Sequence, residues 1–444
     1  MSNNAFCQKS LGEFPEIGNH YRLACVHCHK WFEDSHSGFL LNCDEHHPAS
    51  LLQAAYSQKK FTIQKNQQGL FRYGGWLPIR RRILPTLSLP AVFQSERLAS
   101  QMGFEKLIIA FSGYWPERGA FMETCSFKEL VAFSACARIP EGLNQKLVVA
   151  STGNTGRAFL HVGSTQHIPM VVVVPEDALT KMWLTMDKNP CVKLAVLKGD
   201  VDYLDSIETG NAISAMEGCY PEGGVRNVAR RDGLGAVVLQ MIETFGEIPE
   251  HYFQAVGTGT GAIGAWETNL RLIEDGRFGN RKMKLHLVQN EPFAIMAEAW
   301  RNRKPELPTL PVEIAKQRIG RLHSPALSNR KPAYSVVGGV FDALTDSGGD
   351  MYSVTNEEAR KAGQLFETIE DCDLDPAAEV TLAGLLKALE MGRIKRSDLI
   401  LLNLTGGGRK KIVKEGKVRP VKPDLFFTRG QVVEEHFKHL LSCH

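Results

Sequence analysis

A lysine in the stretch Thr124-Cys125-Ser126-Phe127-Lys128-Glu129-Leu130 is the first residue with the makings of chemistry. A lone lysine is ordinarily a solvated charge, but three other motifs give Lys128 a context. A Gly153-Asn154-Thr155-Gly156 turn begins 25 residues later. A glycine-rich loop, Gly257-Thr258-Gly259-Thr260-Gly261, follows an apolar strand pattern, and Thr405-Gly406-Gly407-Gly408 closes another. A lysine can form a covalent carbon–nitrogen bond to a carbonyl. Bare amides at the start of a helix cup a phosphate. The cofactor that needs both is pyridoxal phosphate (PLP), with Lys128 as its Schiff-base lysine. The rival is a dinucleotide loop, which wants an acidic residue about 20 positions on. The next strand ends in Gln289-Asn290 before Glu291, which weakens that reading.

Two further groups carry charge or metal-ligand chemistry. Arg226, Arg230 and Arg231 follow Gly223-Gly224, and arginine forks grip oxyanions at two points. Cys25-Val26-His27-Cys28 is followed by Cys43 and His46-His47. Cys25, Cys28, Cys43 and His46, with His47 as the alternative fourth ligand, suit a structural zinc ribbon. The competing reading is a ribbon that has lost its metal and stands on its own packing.

The elements that must position these residues alternate. Strand patterns at Leu107–Phe111, Lys146–Ala150, Pro169–Val174, Lys193–Leu197, Tyr252–Val256, Lys284–Asn290 and Asp398–Leu404 alternate with helical ones. This predicts parallel sheets covered by helices, an α/β protein. Lys128 opens a helix towards Ala137. Phe93 to Gly103 reads as a helix, as does Asp202 to Met216. Thr355 and Asp375 cap two more. Residues 301–332 read as helix-poor, and the tail from Arg409 as a surface appendage.

The chain has 444 residues, too many for one core. A net charge of +3 is too small to argue for nucleic-acid or membrane surfaces. No run is long and apolar enough for a signal peptide or a span, and the ten scattered cysteines do not suggest a disulfide framework. A cytoplasmic location is expected, with small-molecule partners, no nucleic acid and no membrane.

At these motifs the chain resembles the fold-type-II PLP enzymes, specifically the threonine synthase branch and, within it, the cysteate-forming members. The resemblance covers about residues 20–410. It is carried by Phe111-Ser-Gly-Tyr-Trp-Pro-Glu117, the Lys128 stretch, Gly153-Asn-Thr-Gly-Arg-Ala-Phe159, Pro221-Glu-Gly-Gly-Val-Arg-Asn-Val-Ala-Arg-Arg231, His251-Tyr-Phe-Gln-Ala-Val-Gly257 and Glu274-Asp-Gly-Arg-Phe-Gly279. It implies two parallel-sheet domains of the tryptophan synthase β-like kind. Residues 1–60 would be an arm with the ribbon-like segment. Residues 61–130 and 240–444 would form the large PLP-binding domain, with residues 131–239 a small domain inserted between. It also implies that Asn154 meets the PLP ring hydroxyl, that Gly257, Thr258, Gly259, Thr260 and Gly261 hold its phosphate, and that Thr405 sits by the pyridine nitrogen. Ser126, Thr152, Thr155, Arg157, Arg226, Arg230 and Arg231 would bind substrate. The reaction implied is O-phospho-L-serine plus sulfite to L-cysteate and phosphate, catalysed by a homodimer. Threonine synthesis from O-phosphohomoserine, or cysteine formation from sulfide, share the fold and cofactor. Glu129-Leu130 and Arg157 depart from the usual threonine synthase pattern.

Overall fold

A computed structural model describes residues 20–34, 38–151, 153–431 and 437. Thr152 therefore lies outside the described residues. The strands that were legible as apolar runs are buried on both faces, as parallel strands covered by helices must be. They form two main sheets. The larger has six strands in the order Asp350–Val354, Lys284–Asn290, His251–Ala255, Leu399–Leu404, Lys106–Phe111 and Ala91–Gln94. All its pairs are parallel except the last. The smaller has five parallel strands in the order Cys219–Pro221, Lys146–Ala150, Met170–Pro175, Val192–Leu197 and Leu425–Phe427.

Strand order decides where chemistry can happen. In a parallel sheet the carboxyl ends share one edge. Ala255, Leu404 and Phe111 end three neighbouring strands. The Gly257 loop, the Thr405 turn and the loop leading to Lys128 therefore leave the large sheet side by side. In the small sheet, the strands that end in Ala150 and Pro221 are also neighbours. They deliver the Asn154 turn and the arginine loop together. The helices Lys128–Arg138 and Val228–Phe245 are buried on nearly every side and pack against each other.

Two expectations fail here. The segment from Phe93 opens as an edge strand, Ala91–Gln94, and its helix begins only at Arg97. The tail is not a surface appendage: Leu425–Phe427 completes the small sheet beside Val192–Leu197. Residues 301–332 are helix-poor but hold one short helix, Val312–Ile319, whose Ala315 packs with Phe293, Ile295 and Leu322. No described helix is long and apolar enough to cross a membrane.

The ribbon is a three-stranded antiparallel sheet of Trp31–Phe32, Tyr21–Cys25 and Leu52–Tyr56. A buried ion pair bolts it to the end of the Lys128 helix. Arg138 donates from Nε and Nη2 to Asp34 at 2.8 and 2.9 Å, and Tyr21 donates its hydroxyl to the same carboxylate at 2.6 Å. Burial opposes ionisation of Asp34, but the charge and hydrogen bonds of Arg138 outweigh it and hold the carboxyl below its usual range. Asp34→Asn leaves Arg138 buried without its counter-charge. It is expected to cost about 3–5 kcal/mol, read as a lower melting temperature. The contribution is present above the unfolded carboxyl value of about 3.9 and is lost as pH falls through the lower folded value.

Candidate functional site

Lys128 is placed by its own loop. Phe127 N–H donates to Thr405 O at 3.0 Å, Gly407 N–H donates to Cys125 O at 3.2 Å, and Ser126 bridges Gly406. Two backbones thus run against each other at the head of the Lys128 helix. The glycines permit it: a Cβ at Gly406 would lie 2.7 Å from Cys125 O. Thr124 is clamped from both sides. Its N–H and hydroxyl donate to Glu129 Oε2 at 2.8 Å each, and its carbonyl accepts from Arg157 Nε and Nη2 at 3.0 and 2.8 Å.

The glycine loop leads into the helix Thr260–Asp275, whose first turn has no side-chain cap. Its amides and dipole face whatever fills the turn. Thr258 and Thr260 hydroxyls lie 2.8 Å apart, and a Cβ at Gly257 would sit 2.7 Å from Ala326 O. The helix Asn154–Gln166 starts just after the small-sheet strand. Asn154 donates to Asp375 Oδ2 at 3.3 Å and accepts from Arg157 Nη2 at 2.8 Å.

These pieces surround one cavity of about 270 Å³. Lys128, Asn154, Thr155, Arg157, Arg230, Gly257, Thr258, Gly259, Thr260, Gly261 and Thr405 all line it. So do Lys181, Tyr203, Ser324, Asp373, Asp375 and Arg409, which were not singled out from the sequence. Five cations thus meet two carboxylates. Burial, with some repulsion from Arg230, lowers the Lys128 ammonium to about 7. Burial likewise lowers Arg157 to about 10 and raises the Tyr203 phenol.

Other predicted residues fall outside. Arg231 is fully buried and paired with Glu267 at 3.0 Å, facing the Thr260–Asp275 helix. It also donates to Val225 O at 2.5 Å and to Leu52 O. Arg226 donates to Asn42 at 3.3 Å, away from the cavity. Ser126 is buried behind the lysine, its hydroxyl accepting the Lys128 N–H at 3.3 Å. In the ribbon, the cluster is Cys25, Cys28, Cys43 and His47, with ligand atoms within 4.8 Å of one another. His46 is exposed and outside it, because the turn presents the following residue to the thiols. Of the missed residues, Asp375 was legible only as a helix cap. Lys181 and Arg409 carried no local signal beyond charge.

The lining fits pyridoxal phosphate. It offers an amine largely neutral above pH 7, an uncapped helix start behind a turn that a Cβ would fill, and a buried Ser324 hydroxyl with no hydrogen-bond partner in the wall. A dinucleotide finds no acid at Gln289, whose Oε1 instead accepts from the Met296 and Ala297 amides at 2.8 and 3.0 Å.

Comparison with known proteins agrees. The profile described as pyridoxal-phosphate dependent enzyme matches residues 111–406. The chain is 42% identical over 417 residues to the cysteate synthase of Methanosarcina acetivorans, covering 94% of this chain and 99% of that one. It is 45% identical over 405 residues to the cysteate synthase of Methanosphaerula palustris, covering 90% and 92%. Among solved structures, maize serine racemase superposes with a TM-score of 0.55 at 14% identity, covering 73% of this chain and 90% of that chain. Serine racemase from Dictyostelium discoideum gives 0.52 at 18%, covering 72% and 91%. At those identities the likeness is one of fold.

The lowered ammonium makes a direct prediction. Only the neutral amine attacks a carbonyl, so uptake of pyridoxal phosphate by cofactor-free protein should accelerate as pH rises through about 7. Borohydride reduction should then leave the label on the peptide bearing Lys128. A rate that climbs only near pH 10, or a label elsewhere, contradicts this assignment.

Proposed function

This chain belongs to the cysteate synthase family of pyridoxal-phosphate dependent enzymes, and from that membership we propose that it converts O-phospho-L-serine and sulfite to L-cysteate and phosphate. The observation that carries the reading is the charge of the cavity: Arg157, Lys181 and Arg409, with Arg230 paired to Glu222, against Asp373 and Asp375. Leaving group and nucleophile are both oxyanions, and a site with excess positive charge suits both.

Pyridoxal phosphate, when bound, supplies the electron sink for removing a proton from Cα and expelling a group from Cβ. The chain's residues do the rest. The amides of Gly257 to Gly261 would hold the cofactor phosphate, Asn154 would meet its ring hydroxyl, and Thr405 would stand by its nitrogen. Lys128 Nζ, whose ammonium is lowered to about 7, takes the Cα proton and returns it once sulfite has bonded to Cβ. Phosphate departs with the electron pair of the broken Cβ–O bond. The amides of Gly153 to Thr155, at the start of the helix Asn154–Gln166, receive the substrate carboxylate. Arg230, held by Glu222 at 2.5 Å, adds a further guanidinium to the cavity wall.

We further propose a homodimer working in the cytoplasm, and a structural zinc in the ribbon. A tetrahedron of zinc–sulfur bonds of about 2.3 Å has edges near 3.8 Å. Cys28 Sγ and Cys43 Sγ are 3.6 Å apart, and Cys25 Sγ lies 3.4 Å from His47 Nε2. His47 Nδ1 is 2.7 Å from Pro48 O, a partner that turns Nε2 towards the thiols.

Phosphate release from O-phospho-L-serine by cofactor-loaded protein tests the reaction. Release that depends on sulfite, with cysteate as product, is expected. Release from O-phosphohomoserine alone, with threonine formed, moves the chain to threonine synthesis, and cysteine formed from sulfide moves it to a different β-replacement. Metal analysis of the purified protein should find one zinc per chain, lost in Cys28→Ser. A metal-free, fully folded protein contradicts the ribbon site.

A further inference from the structure

The cavity's cations are not equivalent. Arg230 is neutralised by Glu222, and the nearby Arg231 by Glu267. Arg157, Lys181 and Arg409 have no such partner among the described residues. Arg157 is 3% exposed, yet its guanidinium donates only to neutral oxygens: Thr124 O, Lys181 O and Asn154 Oδ1. A buried cation without a carboxylate is costly.

The three converge. The guanidinium carbons of Arg157 and Arg409 lie 4.5 and 5.7 Å from the ring centre of Trp183, which is itself buried. The Lys181 stem packs on the Asn154 turn, where a Cβ at Gly153 would come within 3.3 Å of its Cδ. The cations are near enough to one another for repulsion to register: burial lowers Lys181, Asp177 and Asp375 favour its charge, and Arg157 and Arg409 both oppose it. The two carboxylates in the wall are otherwise engaged. Asp373 accepts the Arg409 and Lys410 amides at 3.0 and 3.1 Å. Asp375 accepts from the Ala377 amide at 3.0 Å and from Asn154 at 3.3 Å.

We propose that Arg157 and Arg409, stacked on Trp183, together with Lys181 beside the Asn154 turn, form an oxyanion subsite that takes a doubly charged XO3 group of a reactant and is separate from Arg230. This rests on the proposed function for the reactants' identity, where the group is either sulfite or the phosphate of the amino-acid ester. It rests on geometry alone for the presence of an anion. Lys181 and Arg409 are thereby binding residues that the sequence did not single out.

The test uses sulfate as an inert probe on cofactor-loaded protein, so that the cofactor's own phosphate cup is filled. Arg409 is exposed and Lys181 partly so, and neither is in a salt bridge among the described residues. Lys181→Met and Arg409→Met are therefore expected to fold normally. Sulfate affinity, measured calorimetrically, should fall about tenfold or more in each. It should be unchanged in Lys410→Met, which removes an exposed charge paired with Glu367. In turnover, a KM rise for phosphoserine assigns the subsite to the ester phosphate, and a rise confined to sulfite assigns it to the nucleophile. Both support the subsite. Absence of sulfate binding to the wild type, or unchanged affinity in either variant, overturns it. If the enzyme fails to use phosphoserine while sulfate still binds through Lys181 and Arg409, the proposed reaction falls and the subsite stands.

Discussion

Everything at the site hangs on two stretches of backbone pressed together. Cys125 to Phe127 pairs with Thr405 to Gly407 through hydrogen bonds of 3.0 and 3.2 Å. Such contact is open only to a chain without side chains in the way. Cys125 itself takes a φ of +54°, an uncommon conformation for a non-glycine residue, held by the surrounding bonds. Because that pairing sets where the loop ends, it also sets where the helix begins, and so where Lys128 stands. Glu129 and Arg157 then fix the loop from opposite sides through Thr124.

The same construction explains the electrostatics. Parallel strands bring their carboxyl ends, and the helix starts that follow them, to one edge. Helix starts are positive and amide-rich. Adding Arg157, Lys181 and Arg409 without matching carboxylates makes an anion trap, while Glu222 and Glu267 quiet the neighbouring arginines. In this setting a neutral lysine amine is the lower-energy form at moderate pH. Burial disfavours the ammonium first, and Arg230 adds repulsion.

Distant parts of the chain serve this arrangement. The ribbon is tied to the far end of the Lys128 helix by Asp34 and Arg138. The tail supplies Leu425–Phe427 to the small sheet, and Arg419–Pro420 pairs with Trp183–Leu184. Trp183, against which two cavity guanidiniums lie, is therefore backed by residues more than two hundred positions away in the chain.

Much of this was legible in the sequence, because local rules wrote it. Apolar runs became buried parallel strands, Thr355 and Asp375 capped their helices, Gly257 to Gly261 opened one, and Lys128 stood at the start of another. What sequence could not assign was direction. Arg230 and Arg231 are adjacent, but successive helical residues point about 100° apart. One therefore lines the cavity and the other meets Glu267 on the next helix. His46 and His47 differ only in which one the turn presents to the thiols. Lys181 and Arg409, 228 positions apart, share a cavity wall only because the folded strands bring them there. The sequence by itself determined most of the strands and helices, and that Lys128 and the Gly257–Gly261 loop stand at helix starts, since each follows from short-range spacing. Only the tertiary structure decided which cations share the cavity and which are neutralised elsewhere, since that depends on neighbours the chain meets only on folding.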